Sequence, residues 1–137
     1  MTSAGPKMYN AYGTLQDNKH HGSTRLHMDL TDAVNIMLWA APLPDGRPGC
    51  ALWHIFPADT SSRIRTFMKN EGQFNEPGDP IHSQSMYLTP GMLDILAVKY
   101  SVHPFTISQY PGEAVFIPAG CAHQVSCHSP CRETIVN

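Results

Sequence analysis

The sequence predicts a mainly β fold, a sandwich or barrel with one or two short helices. Two observations carry this prediction. Short apolar runs of strand-forming residues recur along the chain, and turns rich in Gly and Pro, such as "LPDGRPG" at 43–49, separate them. This pattern is typical of antiparallel sheets and not of a parallel sheet with alternating helices.

Composition bounds the class of protein. A chain of 137 residues has the length of a single domain. Its content of 42% hydrophobic and 15% charged residues is typical of a globular protein. The formal net charge of −2 gives no basic surface for nucleic acid. No apolar run has membrane or signal-peptide length, so we expect no membrane partner and a cytoplasmic or nuclear protein. The four cysteines are irregularly spaced, and we expect reduced thiols.

Three strands and a helix are predicted in the first half. The strands lie at 25–30, 33–39 and 51–56, with turn-forming residues between them. The helix lies within "TSSRIRTFMKN", because Ile64, Phe67 and Met68 follow i, i+3, i+4 spacing and the Thr-Ser-Ser before them offers a cap. Residues 71–85 are polar and predict a surface loop.

The second half predicts one more helix and further strands. Thr89 as N-cap and Pro90 at the first helical position open a helix through "GMLDILAVKY". The runs "FTISQY" and "AVFIP" flank a Pro-Gly turn and predict a hairpin. A last strand begins at His123.

The stretch "STRLHMDLTDAVN" carries the main candidate chemistry. In a strand, residues two apart share a face, so His27 and Asp29 project together while Leu26, Met28 and Leu30 face a hydrophobic layer. A histidine and a carboxylate side by side are two-thirds of the facial triad that holds Fe(II) with three positions open. His123, on a strand late in the chain, is the best third ligand.

Less specific interpretations stay open. The same pattern is explained if His27 is a core histidine whose ring donates a hydrogen bond to Asp29 or to a carbonyl. His54 in "LWHIF" is a competing ligand or a packed half-buried residue. "SCHSPC" suggests soft-metal ligands, but no second cysteine pair with zinc-finger spacing exists, which favours loop thiols near a frayed end.

Several segments in order carry a family resemblance. The segments are "GPKMYNAYG", "GSTRLHMDLTDAVNIMLW", "ALWHIF", "DPIHSQSMYL" and "GEAVFIPAGCAHQV". Together they resemble the JmjC (jumonji) domain of the lysine demethylases that act on mono- and dimethylated lysine 9 of histone H3, and of the related hairless-type corepressor. The resemblance runs from about Gly5 to Val125.

The resemblance implies a double-stranded β-helix, a cupin-like jelly roll. It also implies Fe(II) at His27, Asp29 and His123, with 2-oxoglutarate and dioxygen as cosubstrates. Thr24 and Asn35 match cosubstrate contacts. A bend in the strand is required at Thr24, because its offset from His27 is odd. The alternative interpretations are a capping or turn hydroxyl for Thr24 and an edge-strand amide for Asn35. By resemblance the partners are a methylated histone H3 tail and chromatin or transcription complexes, and the location is nuclear.

Departures from the family leave other functions open. The domain is expected at 14–137 after a lead-in at 1–13, truncated at its C-terminus and short of a strand after "HQV". No basic partner for the far carboxylate of 2-oxoglutarate is evident, since the nearest cation, Arg47, sits in a turn. A catalytically inactive corepressor or scaffold domain, or a fragment, is one alternative, and a cupin-type hydroxylase of another substrate is a second.

Overall fold

Two four-stranded antiparallel sheets form the fold in the computed structural model, which describes residues 6–11 and 24–136. The elements in chain order are β1 (Lys7–Ala11), β2 (Thr24–His27), β3 (Ala33–Ala40), β4 (Ala51–Ile55), α1 (Ser61–Asn70), α2 (Pro90–Tyr100), β5 (Phe105–Gln109), β6 (Ala114–Ile117), β7 (His123–Cys127) and β8 (Cys131–Val136). One sheet has the order β1-β8-β3-β6 and the other β2-β7-β4-β5. From β2 to β4 and again from β5 to β8, successive strands alternate between the sheets, which is the arrangement of a jelly roll. The mainly β prediction is confirmed.

Two separate apolar cores stabilise the two layers. One core lies between the sheets and includes Met37, Trp53 and Val125, which are almost fully buried. The second core packs both helices against the β2-β7-β4-β5 sheet, and Leu26 and Phe67 belong to it. Apolar cores therefore lie on both sides of this sheet, while its edge strand β5 is largely exposed.

The predicted helices are present, with one difference in capping. Thr89 Oγ1 accepts a hydrogen bond from the Met92 amide (3.3 Å) ahead of Pro90, so the predicted N-cap of α2 is confirmed. Thr60 precedes α1, but its hydroxyl donates to the Pro57 carbonyl (2.7 Å) and does not cap the helix. In the described parts of the chain, 6–11 and 24–136, no helix is long and apolar enough to cross a membrane.

The predicted hairpin of "FTISQY" and "AVFIP" is wrong. β5 pairs with β4, whereas β6 pairs with β3 in the other sheet. The Pro-Gly turn between them is a corner, because the amide of Gly112 donates to the Met37 carbonyl (2.8 Å) and so binds the turn to β3. β6 thereby keeps Val115 and Ile117 buried between the sheets, and β5 buries Gln109 at its end.

The C-terminal segment also differs from expectation. A strand does follow "HQV": β8 pairs with both β1 and β3, so the expectation of a missing strand is wrong. Cys127 and Cys131 lie on strands, with Cα atoms 6.4 Å apart, and form a disulfide. The prediction of reduced thiols is therefore wrong for this pair, because the turn from β7 to β8 brings the two side chains together. Cys50 and Cys121 are free.

Candidate metal centre

Three side chains converge where β2 and β7 pair. His27 and His123 are direct partners in this ladder, so their rings lie side by side, with centroids 4.2 Å apart. Asp29 follows β2 by two residues, and its Oδ2 lies 3.8 Å from Nε2 of His27 and 3.6 Å from Nε2 of His123. The structure thus brings together the three residues that the sequence singled out.

Hydrogen bonds fix which ring nitrogen each histidine presents. Nδ1 of His27 lies 2.9 Å from the Arg25 carbonyl, and Nδ1 of His123 lies 3.0 Å from the Cys121 carbonyl. A carbonyl only accepts, so each Nδ1 carries a proton, and in the neutral ring the lone pair is then on Nε2. In metal sites, a hydrogen bond from the ring nitrogen that does not bind the metal orients the histidine, and the two carbonyl contacts have this form.

Burial keeps His123 neutral. It lowers the pKa of His123 to about 4, with the neighbouring His27 ring adding to the effect. The contact between His123 and Asp29 is therefore not an ion pair at neutral pH. Two lone pairs and a carboxylate oxygen, all within 4.8 Å of one another, face the same point. A cation satisfies all three, so this donor set fits Fe(II) or another divalent metal that takes imidazole and carboxylate ligands.

A cavity of about 210 Å³ opens between the sheets beside these three residues. The two other predicted site residues line it. Thr24 does so because β2 has an irregularity. Thr24 pairs with Val125 and His27 with His123, so β2 advances three positions where β7 advances two. The bend that the sequence required is confirmed.

Asn35 lies on the opposite wall of the cavity, and it is fully buried. Its strand β3 is central in its sheet, between β8 and β6, so the alternative of an edge-strand amide is wrong. Its Oδ1 accepts from Gln109 Nε2 (3.0 Å) and its Nδ2 donates to Glu133 Oε2 (2.9 Å). Gln109 in turn accepts from the indole N–H of Trp53 (2.8 Å).

His54 does not take part in this centre. It is paired with Gln124 on the ladder, on the face opposite to His123, and Gln124 Nε2 donates to its Nδ1 (3.2 Å). Burial lowers its pKa. The interpretation of His54 as a packed residue is confirmed.

A family comparison decides the identity of this fold and centre. The model of the JmjC domain, described as a hydroxylase, matches residues 18–137. This chain belongs to the JmjC family. Its fold is accordingly the cupin-type jelly roll, as expected.

Similar proteins are JmjC lysine demethylases. The chain is 38% identical over 156 residues to lysine-specific demethylase 3A-A of Xenopus laevis, and 37% identical to lysine-specific demethylase 3A of Homo sapiens. It is 41% identical over 157 residues to lysine-specific demethylase 3 of Drosophila melanogaster. Each match covers 88% of this chain but only 12%, 12% and 18% of the relative, so the chain spans a small part of these proteins.

The JmjC cavity also contains a residue that the sequence analysis missed. Glu133 on β8 lines it and is only 7% exposed. Burial raises its pKa, while the bond from Asn35 acts in the opposite direction. The period-2 pattern of "CRETIV" was the available signal, since it places Cys131, Glu133 and Ile135 on one face. The expectation of a frayed end hid this signal.

The residues present fit one end of 2-oxoglutarate and not the other. The three-residue centre suits the chelating oxo acid group. Among the described residues, no Lys or Arg lines the cavity, and Glu133 stands there instead. Arg47 points elsewhere, since it pairs with Asp45 (2.6 Å) at the surface. The far carboxylate would meet a buried carboxyl group, which is unfavourable.

Proposed function

We propose that this chain is the metal-binding JmjC domain of an Fe(II)-dependent oxygenase, a histone lysine demethylase that acts on mono- or dimethylated lysine 9 of histone H3. The supporting observation is the arrangement of His27, His123 and Asp29. Both Nδ1 protons are held by carbonyls, and both Nε2 lone pairs face the same carboxylate oxygen. The likeness to lysine demethylases supports the substrate class.

The proposal extends to the setting of the domain. A methylated histone tail as substrate places the protein in the nucleus, in chromatin or transcription complexes. We keep 14–137 as the domain and 1–13 as its lead-in; residues 7–11 of that lead-in form β1 and pair with β8.

The chain's own residues have three tasks in such a reaction. His27, Asp29 and His123 hold the metal, which supplies oxidation of an N-methyl C–H bond when it is bound with open positions. The Nδ1 bonds keep both rings in the ligating orientation. Trp53, 1% exposed with its ring stacked toward His123 at 6.0 Å, closes the side of the centre against water.

Metal content tests the proposal. Asp29→Ala should lose bound iron, because the two imidazole ligands that remain supply no negative charge to hold a cation. Asp94→Ala on the exposed face of α2 is the matched control and should keep it. Elemental analysis of anaerobically loaded protein gives the stoichiometry, and formaldehyde release from methylated histone H3 peptides distinguishes a demethylase from a hydroxylase of another substrate. Iron retained in Asp29→Ala would refute the centre.

A second function is favoured by one observation. Glu133 occupies the cavity in which the cosubstrate would bind, and a JmjC corepressor or scaffold domain without turnover has no need for that cosubstrate. In that case iron binds to the wild-type chain, but formaldehyde is not released with any oxo acid offered.

A further inference from the structure

The wall of the cavity opposite the metal centre bears an acceptor with an unmet bonding capacity. Oε2 of Glu133 accepts from Asn35 (2.9 Å), whereas Oε1 lies 4.0 Å from the sulfur of Cys127 and 4.0 Å from that of Cys131. Those sulfurs are bonded to each other and carry no proton to donate. Glu133 is only 7% exposed, so it presents a buried oxygen that a ligand with a donor group would satisfy.

Among the described residues that line the cavity, no Lys or Arg offsets the negative charge of an ionised Glu133. Apart from the three residues of the metal centre, the other described polar residues that line it are Tyr9, Thr24, Asn35, Trp53 and Gln84. Glu133 lines the cavity from the sheet opposite the one that carries His27 and His123. The far end of an oxo acid that is anchored on the metal and extends across the cavity therefore approaches Glu133, and buried like charges repel strongly.

We propose that Glu133 is a specificity-determining residue that selects, among 2-oxo acids, those whose far end is neutral or donates hydrogen bonds, and excludes the second carboxylate of 2-oxoglutarate. This inference rests on the metal centre proposed above. It assigns the cavity a different class of cosubstrate from the dicarboxylate that the family resemblance implies.

Paired ligands test the selectivity directly. 2-Oxopentanoate equals 2-oxoglutarate in chain length but ends in a methyl group in place of the second carboxylate. Protein loaded anaerobically with Fe(II) is titrated with each, and binding is read from the visible charge-transfer absorption of the chelate and from calorimetry. For the wild type we expect 2-oxopentanoate to bind at least about tenfold more tightly.

Three variants locate the cause. Glu133→Gln keeps the acceptor for Asn35 and removes the charge, so the preference should shrink to about threefold or less. Glu133→Lys should reverse it in favour of 2-oxoglutarate, because a buried ammonium pairs with the far carboxylate. Glu76→Gln changes the same charge at an exposed loop position outside the cavity and should leave the preference as in the wild type.

Elemental analysis before each titration separates the two proposals. If iron is bound and the wild type takes 2-oxoglutarate as tightly as 2-oxopentanoate, this inference is overturned while the metal centre stands. The inference is likewise overturned if the preference survives in Glu133→Gln. If no iron is bound, the metal centre is refuted and this inference falls with it.

Discussion

Gln109 is a buried polar residue that links the two sheets, and its replacement should destabilise the fold. Its side chain lies on β5 and bridges to the other sheet: Nε2 donates to Asn35 Oδ1 (3.0 Å), to the Asn35 carbonyl (3.1 Å) and to the Glu113 carbonyl (3.1 Å). Its Oε1 accepts from Trp53 Nε1 (2.8 Å). Gln109→Leu preserves approximate size but leaves the Trp53 N–H and the Asn35 Oδ1 buried without this partner.

The expected loss in the free energy of unfolding is about 4 kcal/mol, because each buried group left without a partner costs about 1–3 kcal/mol. That is a large part of the roughly 5–15 kcal/mol that holds a domain together. Urea unfolding followed by tryptophan fluorescence measures it. Ser108→Ala, exposed on the same strand, is the control and should stay within about 0.5 kcal/mol of the wild type. A loss below about 1 kcal/mol with an unchanged denaturant slope would show that the bridge is not needed.

Two further predictions concern pH. Burial lowers the pKa of His123 to about 4, so as the pH falls the unfolded chain binds a proton at this residue before the folded chain does. The free energy of unfolding of the metal-free protein should therefore be unaffected by His123 above about pH 6.5 and decrease between about pH 6.5 and pH 4. The total decrease is about 3 kcal/mol, at 1.36 kcal/mol per pKa unit. Urea midpoints across this range should show the loss, and a flat profile argues against a buried neutral ring. Burial raises the pKa of Glu133, so the unfolded carboxyl ionises first and stability falls as pH rises above about 4.5. Glu133→Gln should therefore unfold at a higher temperature than the wild type at pH 8 and not at pH 4, by calorimetry; an equal difference at both values would contradict the assignment.

The candidate centre was predictable from local pattern because two rules coincide. Period-2 alternation puts His27 and Asp29 on one side of the chain. The late strand that begins at His123 is expected to return beside the strand that carries His27, and β7 does pair with β2. The alternation failed one residue later: Leu30 is 85% exposed, since β2 ends at His27 and the chain turns before β3. Strand ends depend on pairing partners, which a local pattern does not contain.

The wrong hairpin and the missed Glu133 share a physical origin in long-range pairing. "FTISQY" and "AVFIP" look like a hairpin locally, but each has a better partner elsewhere, in β4 and β3. Glu133 was missed for the same reason, because only the pairing of β8 with β1 and β3 buries it. The alternation in "CRETIV" places Glu133 on one face with Cys131 and Ile135, but which face is buried depends on the partner strands.

The order of pairing has a consequence for how the domain is made. Lys7 pairs with Ile135 and His27 with His123, so strands from opposite ends of this sequence are neighbours. During synthesis, β1 and β2 leave the ribosome long before their partners exist, and the metal ligands cannot meet until His123 has emerged. Closing such long loops before any contact forms makes folding slow, on a scale of milliseconds to seconds for β folds of high contact order. We therefore expect the nascent chain to expose unpaired strand edges for most of its synthesis and to depend on chaperones in that interval.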